Sequence, residues 1–401
     1  MKINPAAAAL DERQLARISE HLERNYITPG KLAGCQVAVA RHGHVGYYDA
    51  LGVRDREREL PVTEDTIWRI YSMTKPITGV ALMSLYEQGF FQLTDPVHRF
   101  IPEWRDLKVK EMAEDGSVRL VDPIRPPNVR DMLMHMGGFG MSTLSVRVDA
   151  NGDSFLDGKH TLETFCANLG NESLDFQPGT RWVYGISTDV CARLVEVMSG
   201  MRFDEYLRTT IFEPLGMTDT AFDVPDDKVD RFAASYGRAR DKSLRLLEDP
   251  QESRYRTLRS FLSGGGGLVS TLPDYLRFTQ MMLNGGEVDG VRILGRKTIE
   301  LMTMNHLPGG VDMRQFAMPG GYGEVGFDGM GFGLTMAVNQ GAAQSAQIGT
   351  AGDFMWGGMA STTFWCDPVE ELAVVFMTQL IPSGTFNFRG QLKSLVYPAL
   401  L

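Results

Sequence analysis

Strand-like stretches stand at both ends of this 401-residue chain, and helix-like stretches fill most of the space between them. Near the start, residues 36–40 and 45–48 flank a turn at Gly43, which predicts a β-hairpin. Towards the end, residues 332–338, 361–366 and 372–378 read as strands, the last two joined by the turn sequence Asp367-Pro368-Val369-Glu370. Hairpins at both ends with helices between predict an α+β fold. One antiparallel sheet is shared by the two ends and flanked by helices, with a mostly helical lobe inserted between. A chain this long suits two domains. Residues 1–88 and 225–401 are expected to form the sheet domain, and residues 89–224 the helical one.

The helical signals are local. Leu15, Ile18 and Leu22 follow the acidic pair Asp11-Glu12 at the spacing of one helix face. Residues 130–136 read as a short helix stopped by Gly137 and Gly138. His135 then falls at a helix C-terminal end, where a capping or dipole contact suits it better than the role of a catalytic base. A longer amphipathic helix runs from Asp189 and is closed by Gly200. The run Ser263-Gly264-Gly265-Gly266-Gly267 is rich enough in glycine for a phosphate cradle, but no Gly-Lys-Ser/Thr follows and no βαβ unit frames it. With Thr271 and Asp274 forming a cap behind it, it reads as a tight turn before a helix over 275–283. His42 and His44 lie in the hairpin turn with no further ligands nearby, so no metal site is expected.

Chemistry concentrates at Ser72-Met73-Thr74-Lys75. Ile77, Val80, Ala81 and Leu85 recur at helical spacing behind it, and Pro76 suits an early helix position, so Ser72 falls at a helix start. Residues i and i+3 share a helix face, which lets the Ser72 hydroxyl meet the Lys75 amine. A hydroxyl becomes a useful nucleophile when a neighbouring base takes its proton. A cap followed by a solvated lysine has the same spelling, but the apolar run makes this helix a buried one.

Composition narrows the rest. Lys+Arg 40 against Asp+Glu 50 gives a net charge of −10, which argues against a nucleic-acid partner. No stretch is apolar for the roughly 18–20 residues of a membrane span, and no basic amphipathic helix suggests a membrane surface. The first residues lack the apolar core of a secretory signal. Cys35, Cys166, Cys191 and Cys366 are scattered without a C-x-x-C pair and read as free thiols, so a cytoplasmic protein is expected.

Two further motifs follow Ser72 and Lys75: Trp182-Val183-Tyr184-Gly185-Ile186-Ser187, and Phe354-Met355-Trp356-Gly357-Gly358-Met359-Ala360. In this order and spacing the three resemble the penicillin-recognising serine hydrolases. They look most like the class C β-lactamase-like family VIII carboxylesterases. The likeness extends over nearly the whole chain, and no G-x-S-x-G elbow offers the α/β-hydrolase alternative. The resemblance implies a serine β-lactamase/DD-peptidase-like fold with its active site in the cleft between the two domains. It implies Ser72 as the acylated nucleophile, Lys75 as its base and Tyr184 as the second member of the proton relay. Ser72 and Met359 would supply the oxyanion-hole N–H groups, and Trp356, Gly357, Gly358 and Ile186 would touch substrate. No cofactor is expected.

Two positions separate this chain from the β-lactamases. Ile186 stands where those enzymes carry the Asn of Tyr-x-Asn, and Trp356 where they carry a cation. Both changes fit the esterase branch. The expectation is a serine carboxylesterase acting on short-chain acyl esters, with a small-molecule ester as its partner. The alternatives are a β-lactamase, amidase or acyltransferase on the same scaffold, or a catalytically silent, penicillin-binding-like module that only binds a ligand.

Overall fold

The first hairpin pairs β1 (Gly34–Arg41) with β2 (His44–Asp55) through a turn in which His42 and Gly43 take φ of 53° and 76°. A short β3 (Leu60–Pro61) extends it. The chain's other end supplies β4 (Met330–Phe332), β5 (Ala337–Asn339), β6 (Phe354–Gly357), β7 (Thr363–Asp367) and β8 (Leu372–Thr378). These eight strands form one sheet in the order β4-β5-β6-β7-β8-β1-β2-β3, every neighbouring pair antiparallel. The two ends meet between β1 and β8, where Val39 lies opposite Val374. This computed structural model describes residues 1–140, 160–318 and 321–401.

Residues 332–338 do not form the single strand expected. They fold back between β4 and β5, with the Gly333 N–H donating to the Met336 carbonyl at 2.8 Å and Thr335 at φ 76°. The turn is pinned from outside: a Cβ on Gly333 would lie 2.3 Å from the Met302 carbonyl oxygen, which also accepts from the Leu334 N–H at 2.8 Å. The strand expected over 361–366 starts later, because Ser361 takes φ 69° in a turn.

Helices cover both faces. On one side, α1 (Glu12–Leu22) is capped by the Asp11 carboxylate, which accepts from the Arg13 and Gln14 N–H groups at 2.8 and 3.2 Å. A later helix, Phe388–Val396, packs against α1. On the other side lies the helix Leu272–Leu283, whose Thr271 cap accepts from the Asp274 N–H. Alternation along β7 divides the two sides. Phe364 meets Tyr275 with ring centres 5.3 Å apart, and the Cys366 thiol donates to the Thr279 carbonyl. The intervening Trp365 instead faces the Lys393 ammonium. Coverage on both faces explains why β1 and β8 are buried along their whole length.

The serine-bearing helix, α2 (Thr74–Glu87), is enclosed more completely than its apolar spacing implied. Every residue from Thr74 to Leu85 is buried. Burying Ile77, Val80, Leu82 and Leu85 stabilises the fold by about 1.5–3 kcal/mol each. Its closest approach needs Gly79, where a Cβ would fall 2.3 Å from the Thr335 hydroxyl. α3 (Ser187–Ser199) packs against α2 and ends at Gly200, φ 71°. Further upstream, the short helix Val129–Leu133 carries a capping box from Asn128 and Asp131. It ends before Met134, because His135 turns into the left-handed region at φ 57°. The four cysteines are buried free thiols, and no described helix is long and apolar enough to cross a membrane.

Candidate active site

Backbone pairing delivers Ser72 to its place. Ile67–Arg69 pairs antiparallel with Val269–Thr271, and the Ile70 N–H then donates to the Leu268 carbonyl at 3.1 Å. Tyr71 takes φ 43°, a left-handed conformation that costs a non-glycine residue about 1–3 kcal/mol. This sharp reversal drops Ser72 into a 3-10 turn that runs directly into α2. The Lys75 Nζ lies 3.3 Å from the Ser72 Oγ, so the i, i+3 meeting is present. The same amine donates to the Gly265 carbonyl at 2.5 Å and sits 4.5 Å above the centre of the Tyr184 ring.

The glycine-rich turn thus serves the lysine. Asp189, in the first turn of α3, accepts from the Gly265 N–H at 2.9 Å and from the Ser263 hydroxyl at 2.7 Å. Thr78 of α2 donates to the Gly264 carbonyl at 2.8 Å. The turn approaches α3 so closely that a Cβ on Gly264 would lie 2.6 Å from that of Ala192.

Tyr184 stands against a wall of rings. Its centre is 5.0 Å from His135, 5.4 Å from Trp356 and 5.9 Å from Tyr322. Its hydroxyl oxygen is buried and makes no well-formed hydrogen bond among the described residues. Burial, then the Glu324 carboxylate, pushes its pKa well above 10, while nearby Ser72 and Trp356 pull the other way. Tyr184 is therefore a phenol across the neutral range. His135 does not serve as a helix cap. It is buried behind Tyr184, its carbonyl accepting from the Val183 N–H at 2.9 Å. Burial, then the nearby Lys75 amine, hold its imidazole well below its ordinary pKa.

The third motif forms the facing edge. At the end of β6, a Cβ on Gly358 would lie 2.5 Å from the Ile70 carbonyl oxygen, so only glycine lets this edge approach the Ser72 turn. Gly358 and Ser361 close a tight turn, with the Ser361 N–H donating to the Gly358 carbonyl at 2.9 Å. Met359 is left at its tip, and the Met359 N–H donates to no acceptor among the described residues. Trp356 requires a correction. It is fully buried and backs Tyr184 and Phe332 without lining the cavity. Gly357 and Gly358 also lie outside the lining. Gly357 makes room for the Arg389 guanidinium, which a Cβ there would meet at 2.0 Å.

A cavity of about 480 Å³ opens over these groups. Ser72, Lys75, Tyr184, Ile186 and Met359 line it. Sequence reasoning missed Asp189, Arg254, Tyr322 and Glu324, which line it too. The Glu324 carboxylate pairs with Arg389 at 3.0 Å and accepts from the Tyr322 hydroxyl at 2.8 Å. Asp189 left a usable signal, an acid in the first turn of the helix after Tyr184-Gly185-Ile186. Glu324, in an irregular stretch, and Arg254, at the start of a short 3-10 turn, left none, because their place is set only by the tertiary fold.

Residues 20–393 match the family model described as Beta-lactamase. The chain is 31% identical over 362 residues to Protein Rv1367c of Mycobacterium tuberculosis, covering 90% of this chain and 88% of that one. It is 28% identical over 403 residues to Esterase EstB of Burkholderia gladioli, with 95% of each covered. Among solved structures, EstCE1, described as a hydrolase with promiscuous acyltransferase activity, superposes with a TM-score of 0.79 at 26% identity. That match covers 96% of this chain and 99% of the other. A sheet built from both chain ends, a serine and lysine meeting at the start of a buried helix, and these relatives together mean that the chain belongs to the Beta-lactamase family, among its esterase-like serine hydrolases.

Proposed function

We propose that this protein is a serine carboxylesterase that hydrolyses short-chain acyl esters through an acyl-enzyme on Ser72. The observation that carries the reading is the Lys75 amine 3.3 Å from the Ser72 hydroxyl on the wall of a cavity that Tyr184 shares. In this reading Ser72 Oγ attacks the ester carbonyl as Lys75 takes its proton. The Ser72 and Met359 N–H groups receive the developing oxyanion. Tyr184, held as a phenol, passes a proton to the departing alkoxide and is reprotonated through Lys75. Water then enters by the same groups in reverse, returning Ser72 and releasing the acid. The site belongs to the cleft between a sheet domain, residues 1–88 and 225–401, and a helical domain, residues 89–224. With four buried free thiols, the enzyme is assigned to the cytoplasm.

Ile186 favours an ester over a β-lactam. It lines the cavity where β-lactamases carry an amide, so the side-chain amide of a lactam would lose water without gaining a partner. An unpaired buried polar group costs about 1–3 kcal/mol, which is roughly fivefold to 150-fold in kcat/KM. The test is a panel of 4-nitrophenyl acetate, 4-nitrophenyl butyrate, nitrocefin and benzylpenicillin. We expect kcat/KM for the esters to exceed that for benzylpenicillin at least tenfold, and Ser72→Ala to lower ester turnover about a thousandfold or more. Benzylpenicillin matching the esters would turn the reading to a β-lactamase. Ester turnover that survives Ser72→Ala would remove it. Acyl transfer to an alcohol is a second reading, favoured by the described activity of EstCE1.

A further inference from the structure

We infer that the cavity selects esters that carry a carboxylate, and that Arg254 is the residue that selects them. This rests on the esterase reading and names its substrate class. The two carboxylates that line the cavity are already provided for. Asp189 is held by the Ser263 hydroxyl and the Gly265 N–H, and Glu324 by Arg389 and Tyr322. Arg254 lines the same cavity and has no carboxylate partner among the described residues. Its guanidinium lies 5.5 Å from the centre of the Tyr255 ring. Glu248, whose charge also acts on Arg254, is paired with buried Arg69 at 3.2 Å and accepts from the Ser253 hydroxyl.

Two circumstances sharpen the assignment. Tyr71 and Tyr255 wall the cavity beside Arg254, and Tyr71 is the residue directly before Ser72, so the cation and the nucleophile border one continuous space. The protein as a whole is anionic, at net −10, and repels anions in general. Against that background a guanidinium with no ion pair among the described residues stands on the wall of the substrate cavity. It offers a forked pair of donors that fits a carboxylate. Arg259, whose Nε donates to the Arg254 carbonyl at 3.4 Å, lines the same wall. The ligand's carboxylate can belong to the acyl part or to the alcohol part of the ester, and the test separates the two.

The experiment compares four esters on wild type, Arg254→Gln and Arg254→Lys. Mono-4-nitrophenyl glutarate carries the carboxylate on the acyl side and is matched by neutral 4-nitrophenyl butyrate. 4-Acetoxybenzoate carries it on the alcohol side and is matched by neutral phenyl acetate. The readout is the ratio of kcat/KM for each anionic ester to its neutral match, which cancels any general loss of fold or activity. We expect Arg254→Gln to lower at least one ratio about tenfold, mainly through KM, as a charge-assisted hydrogen bond of ordinary strength would. Arg254→Lys should restore part of it, and raising the salt concentration should erode the wild-type ratio. The pair that responds identifies the side on which the carboxylate sits. If neither ratio changes by more than about twofold in Arg254→Gln, the inference is overturned. If wild type hydrolyses none of the four, the esterase reading fails instead.

Discussion

His135 is neutral in the folded protein, because burial and then the nearby Lys75 amine hold its imidazole well below an ordinary pKa of 6.5. The consequence for stability has a definite sign. In the unfolded chain this imidazole takes up a proton as pH falls through about 6.5, whereas in the folded protein it does so only at much lower pH. Acidification therefore favours unfolding, by up to about 1.4 kcal/mol per pH unit below that point. Thermal unfolding followed from pH 7.5 to pH 5 should show wild type losing more Tm than His135→Gln over the same interval. Parallel losses would mean that His135 is not the group responsible. The residue scale is also where sequence reading divided most sharply. Ser72 and Lys75 were legible because i, i+3 geometry brings them together where the 3-10 turn runs into α2. Tyr184 was legible through its motif. His135 was misread, because its role depends on a ring from a segment about fifty positions away. Trp356 was placed on the cavity wall because a motif gives position along the chain but not the direction of a side chain.

At the scale of elements, the edge formed by β6 and its turn must lie close to the start of α2. Nothing but glycine fits at Gly358, where an added Cβ would meet the Ile70 carbonyl oxygen at 2.5 Å and the Thr362 hydroxyl at 2.3 Å. In Gly358→Ala the two elements have to part by several tenths of an ångström, which moves the Met359 N–H away from Ser72. Overpacking of this kind costs about 1–3 kcal/mol of stability. Misplacement of reacting groups costs more in rate, on the order of a hundredfold for 1 Å. We expect kcat/KM for 4-nitrophenyl butyrate to fall at least tenfold while Tm drops only a few degrees. Wild-type turnover in a folded Gly358→Ala protein would show that this edge takes no part in the chemistry. Here the sequence reading was half sufficient. Paired glycines in Trp356-Gly357-Gly358 marked a close approach, but which backbone approached could be known only from the fold. The run at 332–338 failed for a related reason, since the Met302 carbonyl that bends it lies in another segment.

At the scale of the whole molecule, the architecture was legible from the ends inward. Strand signals near both termini required a shared sheet, and β1 pairs with β8 as that requires. The order of the remaining strands and the complete burial of α2 were not legible, because they depend on which faces meet. The charge distribution was less legible still: a net charge of −10 does not tell that the cavity is bordered by charges of both signs, Lys75, Arg254 and Arg259 with Asp189 and Glu324. The account as a whole depends on one bond, an ester formed between substrate acyl group and Ser72 Oγ. A 4-nitrophenyl alkylphosphonate imitates the first half of that reaction and stops there, leaving phosphorus on the attacking oxygen. Incubation of the intact protein with this reagent, followed by proteolysis and peptide mass spectrometry, reads out where the bond forms. The account predicts one adduct per chain, on Ser72, appearing in step with loss of activity and absent from Ser72→Ala. Inactivation with the phosphorus on any other residue, and Ser72 unmodified, would contradict it.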